Sequence, residues 1–377
     1  MNIVIAPDSF KGSLTAKQAS EIMGKAVLEV LKDCNVQIMP MADGGEGTLE
    51  TLLVSSKDAE RIPVNCVGPI GERIDTSYGI VNKKTAIIEC ASIAGLTQVP
   101  EDKRDPTFTT SYGIGEVIID ALDKGCTSLI MGLGGSATND GGLGMLQALG
   151  MEAWNRDSTR LGPFGRDLLN VESISFANFD TRLPDVAIRV ACDVDNPLCG
   201  SMGASAVYGP QKGATPEQVK QFDNALNKYG SLIEDEINLP YKKHAGAGAA
   251  GGLGFALLAM GANLESGAKL IADTSRLERQ IKGADLVLTG EGQSDEQTLF
   301  GKAPGYVADL ATKYNVPVIL ISGSLGGNLD SLQEKFAGCF SIINSALTLQ
   351  ECMENAEKML FEQTKQIVHF ISSCQCK

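Results

Sequence analysis

Residues 286–321 read LVLTGEGQSDEQTLFGKAPGYVADLATKYNVPVILI, and this stretch decides the fold class. An apolar strand pattern at Leu286–Thr289 is followed by a helical pattern at 304–314 and by a second apolar strand at Val316–Ile321. The same order continues with a helix at about 328–336, a strand at 339–343 and a helix at 349–373. Because strands that alternate with helices form right-handed parallel units, this part of the chain is predicted to form a parallel sheet covered by helices.

The beginning of the chain has the same alternation of strand and helix patterns as its end. A strand pattern at Ile3–Ala6 precedes Thr15 and Gln18, which are spaced as a capping box before a helix. A second short strand is expected at Gln37–Met41. We therefore predict one Rossmann-like (flavodoxin-like) parallel-sheet domain built from both termini.

The middle of the chain begins with consecutive strand patterns that have no helix between them. Three strand patterns, at Arg61–Val67, Thr76–Val81 and Thr85–Cys90, are joined by turns and indicate antiparallel pairing. Helices and strands then alternate up to a long helix at Pro216–Ile237. At 377 residues the chain exceeds the usual size of one hydrophobic core, so two domains are expected.

The predicted fold class is thus α/β, with an inserted mixed α/β domain. The boundaries are 1–68 and 283–377 for the Rossmann-like domain and 69–282 for the inserted one, and the active site is expected in the cleft between them.

Composition narrows the class of partner. With 46 acidic and 32 basic side chains the net charge is −14, which disfavours nucleic acid and anionic membrane surfaces. A signal-like leader and an apolar run of membrane-spanning length are both missing, so a cytoplasmic location is expected. The ten scattered cysteines are interpreted as reduced thiols. The oligomeric state stays open, with a homodimer as one alternative.

Four polar, glycine-containing loops follow apolar strands. They lie at 8–13, 43–48, 132–142 and 289–295. One such loop is an ordinary turn, because Gly, Asp and Asn are common turn residues. Four of them at strand ends indicate a ligand site, since open α/β sheets bind ligands at the carboxyl ends of their strands.

The loop at 132–142 is the strongest candidate for a phosphate cradle. Its glycines would let backbone N–H groups approach an anion, and the following helix adds its positive end. The spacing of a Walker motif occurs nowhere in the chain, which excludes a standard P-loop nucleotidase.

Two carboxylates follow the strand predicted at Val186–Cys192. Alternation places Asp193 and Asp195 on one side of the chain, where they could hold Mg²⁺ or accept a hydroxyl proton. Solvated acids in a turn are the alternative interpretation.

Three lysines stand beside glycines, namely Lys11, Lys212 and Lys302, and each could pair with a carboxylate or a phosphate oxygen. A surface lysine is an equal alternative for each.

The two histidines, His244 and His369, suggest neither zinc binding nor a Ser-His-Asp hydrolase. The run Gly246–Gly251 fits a dinucleotide fingerprint in spacing but follows no strand, so helix packing is the competing interpretation.

Four motifs taken together resemble the bacterial type-1 glycerate kinase family. They are Ala6–Ser13, Ala42–Thr48, Gly134–Gly142 and Thr289–Gly292, and the resemblance runs from residue 1 to about 375. The resemblance implies phosphotransfer from ATP to D-glycerate, with Mg²⁺ as cofactor and a two-domain α/β fold. The product is usually 2-phosphoglycerate in this family, with 3-phosphoglycerate as the alternative.

Site residues are assigned on the motifs and loops above. Asp193, Lys11 and Asp8 are predicted to be catalytic; Ser9, Lys212 and Glu291 to bind the substrate; Gly134, Gly135, Ser136, Thr138, Asn139 and Gly290 to bind the nucleotide; and Asp43, Glu46 and Asp195 to bind the metal. Lys11 is the cation of the first loop, so we expect it to bind the glycerate carboxylate or the transferred phosphate. Asp193 is expected to act on the substrate hydroxyl as base or orienting acceptor.

Two other functions are alternatives to this prediction. A nicotinamide-dependent oxidoreductase on a small hydroxy acid would need an acidic residue about 20 positions after the glycine run, and Glu265 has that spacing but lies in a helical-looking stretch. A non-catalytic sugar-acid-binding protein is the third reading, because glycine-rich clefts also bind ligands without reacting.

Overall fold

The computed structural model describes residues 1–56 and 58–375. Lys57, Cys376 and Lys377 lie outside the described residues, so the last of the ten cysteines and the predicted domain limit at 377 do too.

The strands are short and, in chain order, they are β1 (Asn2–Ile5), β2 (Asn35–Ile38), β3 (Glu60–Val67), β4 (Arg73–Val81), β5 (Thr85–Glu89), β6 (Ser128–Gly132), β7 (Glu152–Trp154), β8 (Ser173–Ser175), β9 (Ala187–Ala191), β10 (Asn263–Glu265), β11 (Leu286–Thr289), β12 (Gln293–Ser294), β13 (Val318–Ser322), β14 (Ser324–Leu325) and β15 (Gly338–Ser341).

The α-helices are α1 (Ala16–Val30), α2 (Thr48–Ser55), α3 (Cys90–Ala94), α4 (Tyr112–Asp123), α5 (Leu143–Ala148), α6 (Gly165–Leu168), α7 (Ala204–Tyr208), α8 (Pro216–Ile237), α9 (Ala249–Ala259), α10 (Gly267–Ser275), α11 (Leu277–Ile281), α12 (Ala303–Thr312), α13 (Leu329–Gln333), α14 (Leu349–Glu354) and α15 (Ala356–Gln375). Within the described residues, no helix combines the length and the apolar character needed to cross a membrane.

Two compact units divide the chain. The first lies within Met1–Asp43, Glu50–Lys57 and Gly267–Lys377, and the second within Gly44–Leu49 and Asp58–Ser266. The limits predicted from sequence were 68 and 283. The difference arises because β3 pairs with β4 of the second unit, and because α10 and α11 belong to the first.

The first unit contains a five-stranded sheet in the order β15-β13-β11-β1-β2, and every neighbouring pair is parallel. If these strands are renumbered along the chain from one to five, the order is 2-1-3-4-5, which is the flavodoxin-like order. The predicted parallel sheet built from both ends of the chain is confirmed.

Helix α1 shows why the first unit folds as the sequence predicts. The Thr15 hydroxyl accepts the N–H of Gln18 at 3.1 Å, and the Gln18 side chain accepts the N–H of Thr15 at 2.9 Å, so the predicted capping box is present. The apolar face of α1 packs with α15 against the sheet, in a core that includes Ile3, Met23 and Leu288.

The second unit contains a six-stranded mixed sheet in the order β10-β9-β6-β5-β4-β3. The strands from β10 to β5 are parallel, whereas β5, β4 and β3 form the predicted antiparallel meander. The loops after β5, β6 and β9 therefore leave the same edge of this sheet.

Two local predictions are wrong. The helix expected at 349–373 is interrupted at Asn355, where α14 ends. Glu265 does not lie in a helix but ends β10, because Asn263–Glu265 pairs in parallel with Arg189–Ala191 of β9. Its carboxylate forms an ion pair with Arg189, with Nε and Oε1 2.7 Å apart.

Candidate active site

The first unit places two of the polar loops side by side. In the 2-1-3-4-5 order the chain leaves β1 and β11 at the topological switch point, where ligands bind outside the carboxyl ends of the strands. The loop after β1 carries Asp8, and the loop after β11 carries Gly290. The N–H of Asp8 donates to the carbonyl of Gly290 at 2.8 Å, which fixes the two loops to each other.

Asp8 is half-buried at this switch point, and its Oδ1 accepts the N–H of Ser9 at 2.6 Å. The pKa of Asp8 is raised to about 7, first because burial penalises the charged form and second because the Asp43 carboxylate is close. Glu291 adds to the rise, while Ser9 and Lys11 oppose it. A carboxyl group with such a pKa can take up or release a proton near neutral pH.

Lys11 is the exposed cation of this cluster. Its side chain is 83% exposed, and its Nζ lies 3.7 Å from Oδ2 of Asp43. Exposed ion pairs at this distance are weak because water screens them. The ammonium is therefore accessible to a carboxylate or phosphate of a small ligand.

Glu291 is buried and is held by several contacts. It is only 7% exposed, and its Oε1 accepts the hydroxyls of Ser294 at 3.0 Å and Thr298 at 2.6 Å. Its Oε2 lies 3.6 Å from Nζ of Lys302. These contacts orient the Glu291 carboxylate, so the lysine singled out at 302 has a partner at the predicted site.

Gly290 has a packing role that the sequence did not reveal. A Cβ at this position would lie 1.9 Å from the carbonyl oxygen of Ile321, so no side chain fits there. The nucleotide role predicted for Gly290 stays a prediction.

The second unit holds the predicted phosphate cradle. The loop after β6 lies against the Gly44–Gly45 backbone, because a Cβ at Gly134 would be 2.6 Å from the Cα of Gly45. The N–H of Gly134 also faces the carbonyl of Gly44 at 3.4 Å. Gly135 is exposed and has a left-handed φ of 74°. Gly134 and Gly135 are thus the accessible part of this loop.

Lys212 supports the same loop from inside. It is 2% exposed, and its Nζ donates to the Ser136 hydroxyl at 2.9 Å and to the carbonyl of Thr138 at 2.6 Å. Burial lowers the pKa of Lys212 to about 8, although the nearby Cys90 and Asp140 favour its charged form. The lysine therefore ties Ser136 and Thr138 together.

The rest of the cradle is internal. Thr138, Asn139 and Asp140 are fully buried, and the Asn139 amide donates to the Ser205 hydroxyl at 2.9 Å. Thr138 Oγ1 and Asn139 Oδ1 have no hydrogen-bond partner among the described residues. A direct contact between these two side chains and a nucleotide would require the loop to open, so their predicted role stays a prediction.

Asp140 was not predicted from sequence, and it anchors the loop. Its Oδ2 accepts the N–H of Ser111 at 2.9 Å and the Ser111 hydroxyl at 2.6 Å, and its Oδ1 accepts the N–H of Gly142 at 3.1 Å. Burial nevertheless raises the pKa of Asp140. Its position within the glycine motif was the only signal in the sequence.

The glycine run at 246–251 serves packing. A Cβ at Gly248 would be 2.3 Å from the carbonyl oxygen of Pro197, and one at Gly251 would be 1.9 Å from that of Thr138. Residues 250–252 adopt left-handed backbone angles at the start of α9. These close approaches favour the packing interpretation over a dinucleotide fingerprint.

The remaining candidates are exposed carboxylates. Strand β9 ends at Ala191 rather than at Cys192, so Asp193 and Asp195 lie on a loop, and both are exposed, as is Glu46. Within the described ranges, no group of three or more His, Cys, Asp or Glu side chains is arranged to hold a metal ion. The metal roles of Asp43, Glu46 and Asp195 stay predictions.

Known proteins resemble this chain over nearly its whole length. The model of the glycerate kinase family matches residues 3–372. A glycerate 2-kinase of Escherichia coli K12 is 45% identical over 359 residues, covering 94% of both chains. A glycerate kinase of Halalkalibacterium halodurans is 42% identical over 374 residues, covering 98% of both.

A solved crystal structure has the same fold. It is of a Salmonella typhimurium LT2 protein provisionally named glycerate kinase 2, with a TM-score of 0.90, 42% identity and coverage of 100% of both chains. The family match, the curated relatives and this structural likeness lead to the same conclusion. The chain belongs to the glycerate kinase family.

Proposed function

We propose that this protein transfers the γ-phosphoryl group of ATP to D-glycerate and that 2-phosphoglycerate is the product. The observation that carries the proposal is the cluster at the switch point of the first unit, where Asp8 has a pKa near 7 beside the exposed ammonium of Lys11. Membership of the glycerate kinase family supports the reaction, and the name of the Escherichia coli relative supports the 2-hydroxyl.

Phosphoryl transfer requires positioning and charge stabilisation rather than a covalent nucleophile. Lys11 would bind the substrate carboxylate or the phosphate that is transferred, because its ammonium is accessible. Ser9 and Glu291 are proposed to bind the substrate, and the contacts of Glu291 described above hold that carboxylate in one orientation. Lys212 was also predicted to bind the substrate, but we propose that it supports the loop after β6 instead, because its ammonium is buried and donates to Ser136 and Thr138.

The substrate hydroxyl must lose its proton during the transfer. We assign this proton to Asp8, because a general base works best with a pKa near the operating pH. Asp193 keeps the role of orienting acceptor for the hydroxyl. The two carboxylates can be separated by their pH dependence.

The nucleotide is proposed to bind at the loop after β6. The exposed backbone of Gly135 can present its N–H group to a phosphate, whereas the N–H of Gly134 would first have to leave the carbonyl of Gly44. Ser136, Thr138 and Asn139 are buried, so they would hold the shape of this loop beneath the nucleotide. Gly290 of the first unit keeps its predicted nucleotide-binding role as part of the proposal.

Magnesium is proposed as the cofactor, with Asp43, Glu46 and Asp195 as the residues that would hold it. The carboxylates suit a hard cation that takes one or two protein oxygens and keeps several waters. When bound, the ion would neutralise the negative charge of the phosphates. The cytoplasmic location and the oligomeric state stay predictions.

The reaction is tested by incubating the purified protein with ATP, Mg²⁺ and D-glycerate and following ADP release. Phosphorus NMR of the product then distinguishes 2-phosphoglycerate from 3-phosphoglycerate, and L-glycerate serves as the control substrate. Release of ADP that depends on D-glycerate is expected. Reduction of NAD by D-glycerate without ADP release would favour an oxidoreductase, and binding without any turnover would favour a sugar-acid-binding protein.

A further inference from the structure

A buried carboxylate ends the strand β5 of the second unit. Glu89 is 8% exposed and lies opposite Gly132, the last residue of β6. In the sequence it interrupts an apolar run of two isoleucines and a cysteine, which is the only sign of it. Buried glutamates are rare unless they have partners, so the contacts of Glu89 require an explanation.

The partners of Glu89 are backbone N–H groups of the loop at 44–48. Its Oε1 accepts the N–H of Thr48 at 3.1 Å, at the start of α2. The N–H of Gly47 also hydrogen-bonds to the carboxylate. A carboxylate at this place satisfies amides that a helix N-terminus otherwise leaves unpaired, and the positive end of the helix favours its charge.

The same loop is confined on its other sides. A Cβ at Gly44 would lie 2.3 Å from the Cβ of Ala191, at the end of β9, and a Cβ at Gly132 would lie 2.6 Å from the carbonyl oxygen of Gly44. The Thr48 hydroxyl donates to the carbonyl of Gly45 at 2.8 Å. The loop therefore rests on the ends of β6 and β9, and Glu89 supplies its anchor at the end of β5.

The anchor is electrostatically unfavourable. Burial raises the pKa of Glu89 to about 7, and the Glu46 carboxylate contributes to the rise. The N–H groups of Gly47 and Thr48, and the charge of Arg61, act in the opposite direction. An apolar side chain would avoid this cost but would leave the N–H of Thr48 without its acceptor, which indicates that the acceptor oxygen of Glu89 is present for the loop rather than for overall stability.

We propose that Glu89 is a positioning residue for phosphoryl transfer: by accepting the N–H groups of Gly47 and Thr48 it fixes the loop 44–48, and thereby the carboxylate of Glu46. The proposal rests on the proposed function, in which Glu46 helps to hold the metal. It adds a residue that contacts neither substrate nor nucleotide and acts only through the loop.

The test compares Glu89→Gln, which keeps an acceptor oxygen, with Glu89→Ala, which removes it. In Glu89→Gln we expect kcat to stay within about threefold of the unaltered enzyme. In Glu89→Ala we expect kcat/KM to fall by about 10- to 100-fold and the Mg²⁺ concentration for half-maximal activity to rise, because the loss of hydrogen bonds to a charged group is of this size. Glu234→Ala is the matched control, since Glu234 accepts the N–H of Lys242 at 2.6 Å within the same unit.

A second readout does not depend on activity. Hydrogen exchange of the amides at Gly47 and Thr48, followed without substrates, should accelerate in Glu89→Ala and remain slow in Glu89→Gln and in the control. If Glu89→Ala does not fold, Glu89→Asp takes its place, because the shorter side chain withdraws the acceptor while keeping the charge.

The outcomes separate the two proposals. Fast exchange at Gly47 and Thr48 together with unchanged kcat and Mg²⁺ dependence overturns the positioning role, and so does a Glu89→Gln enzyme as impaired as Glu89→Ala. If the unaltered protein does not phosphorylate glycerate, the proposed function fails, while the exchange data still decide whether Glu89 holds the loop.

Discussion

The loop after β1 and the loop after β6 look alike in sequence and differ in the structure. Both follow an apolar strand and combine glycines with hydroxyl and carboxylate side chains. In the first, the lysine is 83% exposed and 3.7 Å from its carboxylate partner. In the second, the lysine that serves the loop is 2% exposed and donates two short hydrogen bonds.

The difference teaches that one kind of motif can build either an exposed charged surface or an internal frame. The loop after β1 keeps charges that its neighbours only partly satisfy, which suits a group that must bind and react. The loop from Ser136 to Asp140 is buried, packs against Gly251 at the start of α9 and receives hydrogen bonds from Lys212 inside the unit. Chemistry is therefore expected to be more sensitive to changes in the first loop, and stability to changes in the second.

The sharpest test of this contrast is Asp8→Asn. We expect kcat to fall by about 10²- to 10⁴-fold, the usual contribution of a positioned base. In the unaltered enzyme kcat/KM should decline as the pH falls through about 7, because Asp8 becomes protonated, and this decline should be absent from the residual activity of the variant.

The substitution Asp8→Asn should lower catalysis but raise the stability of the folded protein. The pKa of Asp8 is raised in the folded chain, so the stabilisation by its neutral form is complete at acid pH and is lost as the pH rises through about 7. The variant should therefore gain thermal stability relative to the unaltered protein as the pH rises from about 4, near the ordinary pKa of an aspartate, to about 7. A parallel decline of both proteins over this range would show that Asp8 does not titrate there.

The second test is Asp193→Asn, in the second unit. We expect kcat to fall by roughly 10²-fold while the affinity for ATP, measured by calorimetry, stays nearly unchanged. The decline of kcat/KM near pH 7 should persist, because Asp8 is intact. Weakened binding of ATP with Mg²⁺, and recovery of activity at high Mg²⁺, would instead make Asp193 a metal ligand.

A smaller effect is expected for Lys11→Met. Removing an exposed ammonium that binds a substrate anion should lower kcat/KM by about 10- to 100-fold, in line with a charge-assisted hydrogen bond. The melting temperature should hardly change, since the ion pair with Asp43 is exposed. Lys17→Met is the control, because Lys17 forms a similar surface pair with Glu50 at 4.0 Å. Equal kinetics in the two variants would show that Lys11 is a plain surface lysine.

The smallest effect on catalysis is expected for Lys212→Met. The variant leaves the Ser136 hydroxyl and the Thr138 carbonyl without their donor, so the free energy of unfolding should fall by about 1–3 kcal/mol in urea titrations. Activity should change only a few-fold, with exposed Lys220→Met as the control. A stable variant that has lost its activity would show that Lys212 contacts the substrate directly, which would remove the contrast between the loops.

Most of the fold could be predicted from periodicity. The alternation of strands and helices at both ends of the chain indicated the parallel sheet, and the short strands joined by turns indicated the antiparallel meander of β3 to β5. Local errors occurred where a tertiary contact outweighed the pattern. Glu265 was assigned to a helix, but Asn263–Glu265 forms a strand that pairs with β9, and the Glu265 carboxylate forms an ion pair with Arg189.

The site was predictable as a set of loops but not as a set of contacts. Asp8, Lys11 and Glu291 meet because β1 and β11 are neighbours, and that adjacency follows from the predicted parallel sheet. The burial of Thr138 and Asn139 could not be predicted, because it depends on Gly251, which lies far along the chain. Glu89 and Asp140 were not predicted for the same reason. Their role is to accept backbone N–H groups of Thr48 and Ser111, which are far from them in the sequence and close only in the fold.

The central place of β1 has a consequence for biosynthesis. This strand pairs with β2 on one side and with β11 on the other, with Ile3 opposite Leu286. While the chain is being translated, the partner on the second side does not exist until Leu286 has left the ribosome. All six strands of the other sheet lie between Glu60 and Glu265, so that sheet can be completed on the nascent chain first. A chain released early would therefore carry one finished sheet and one open strand edge, which is a substrate for chaperones and a seed for aggregation.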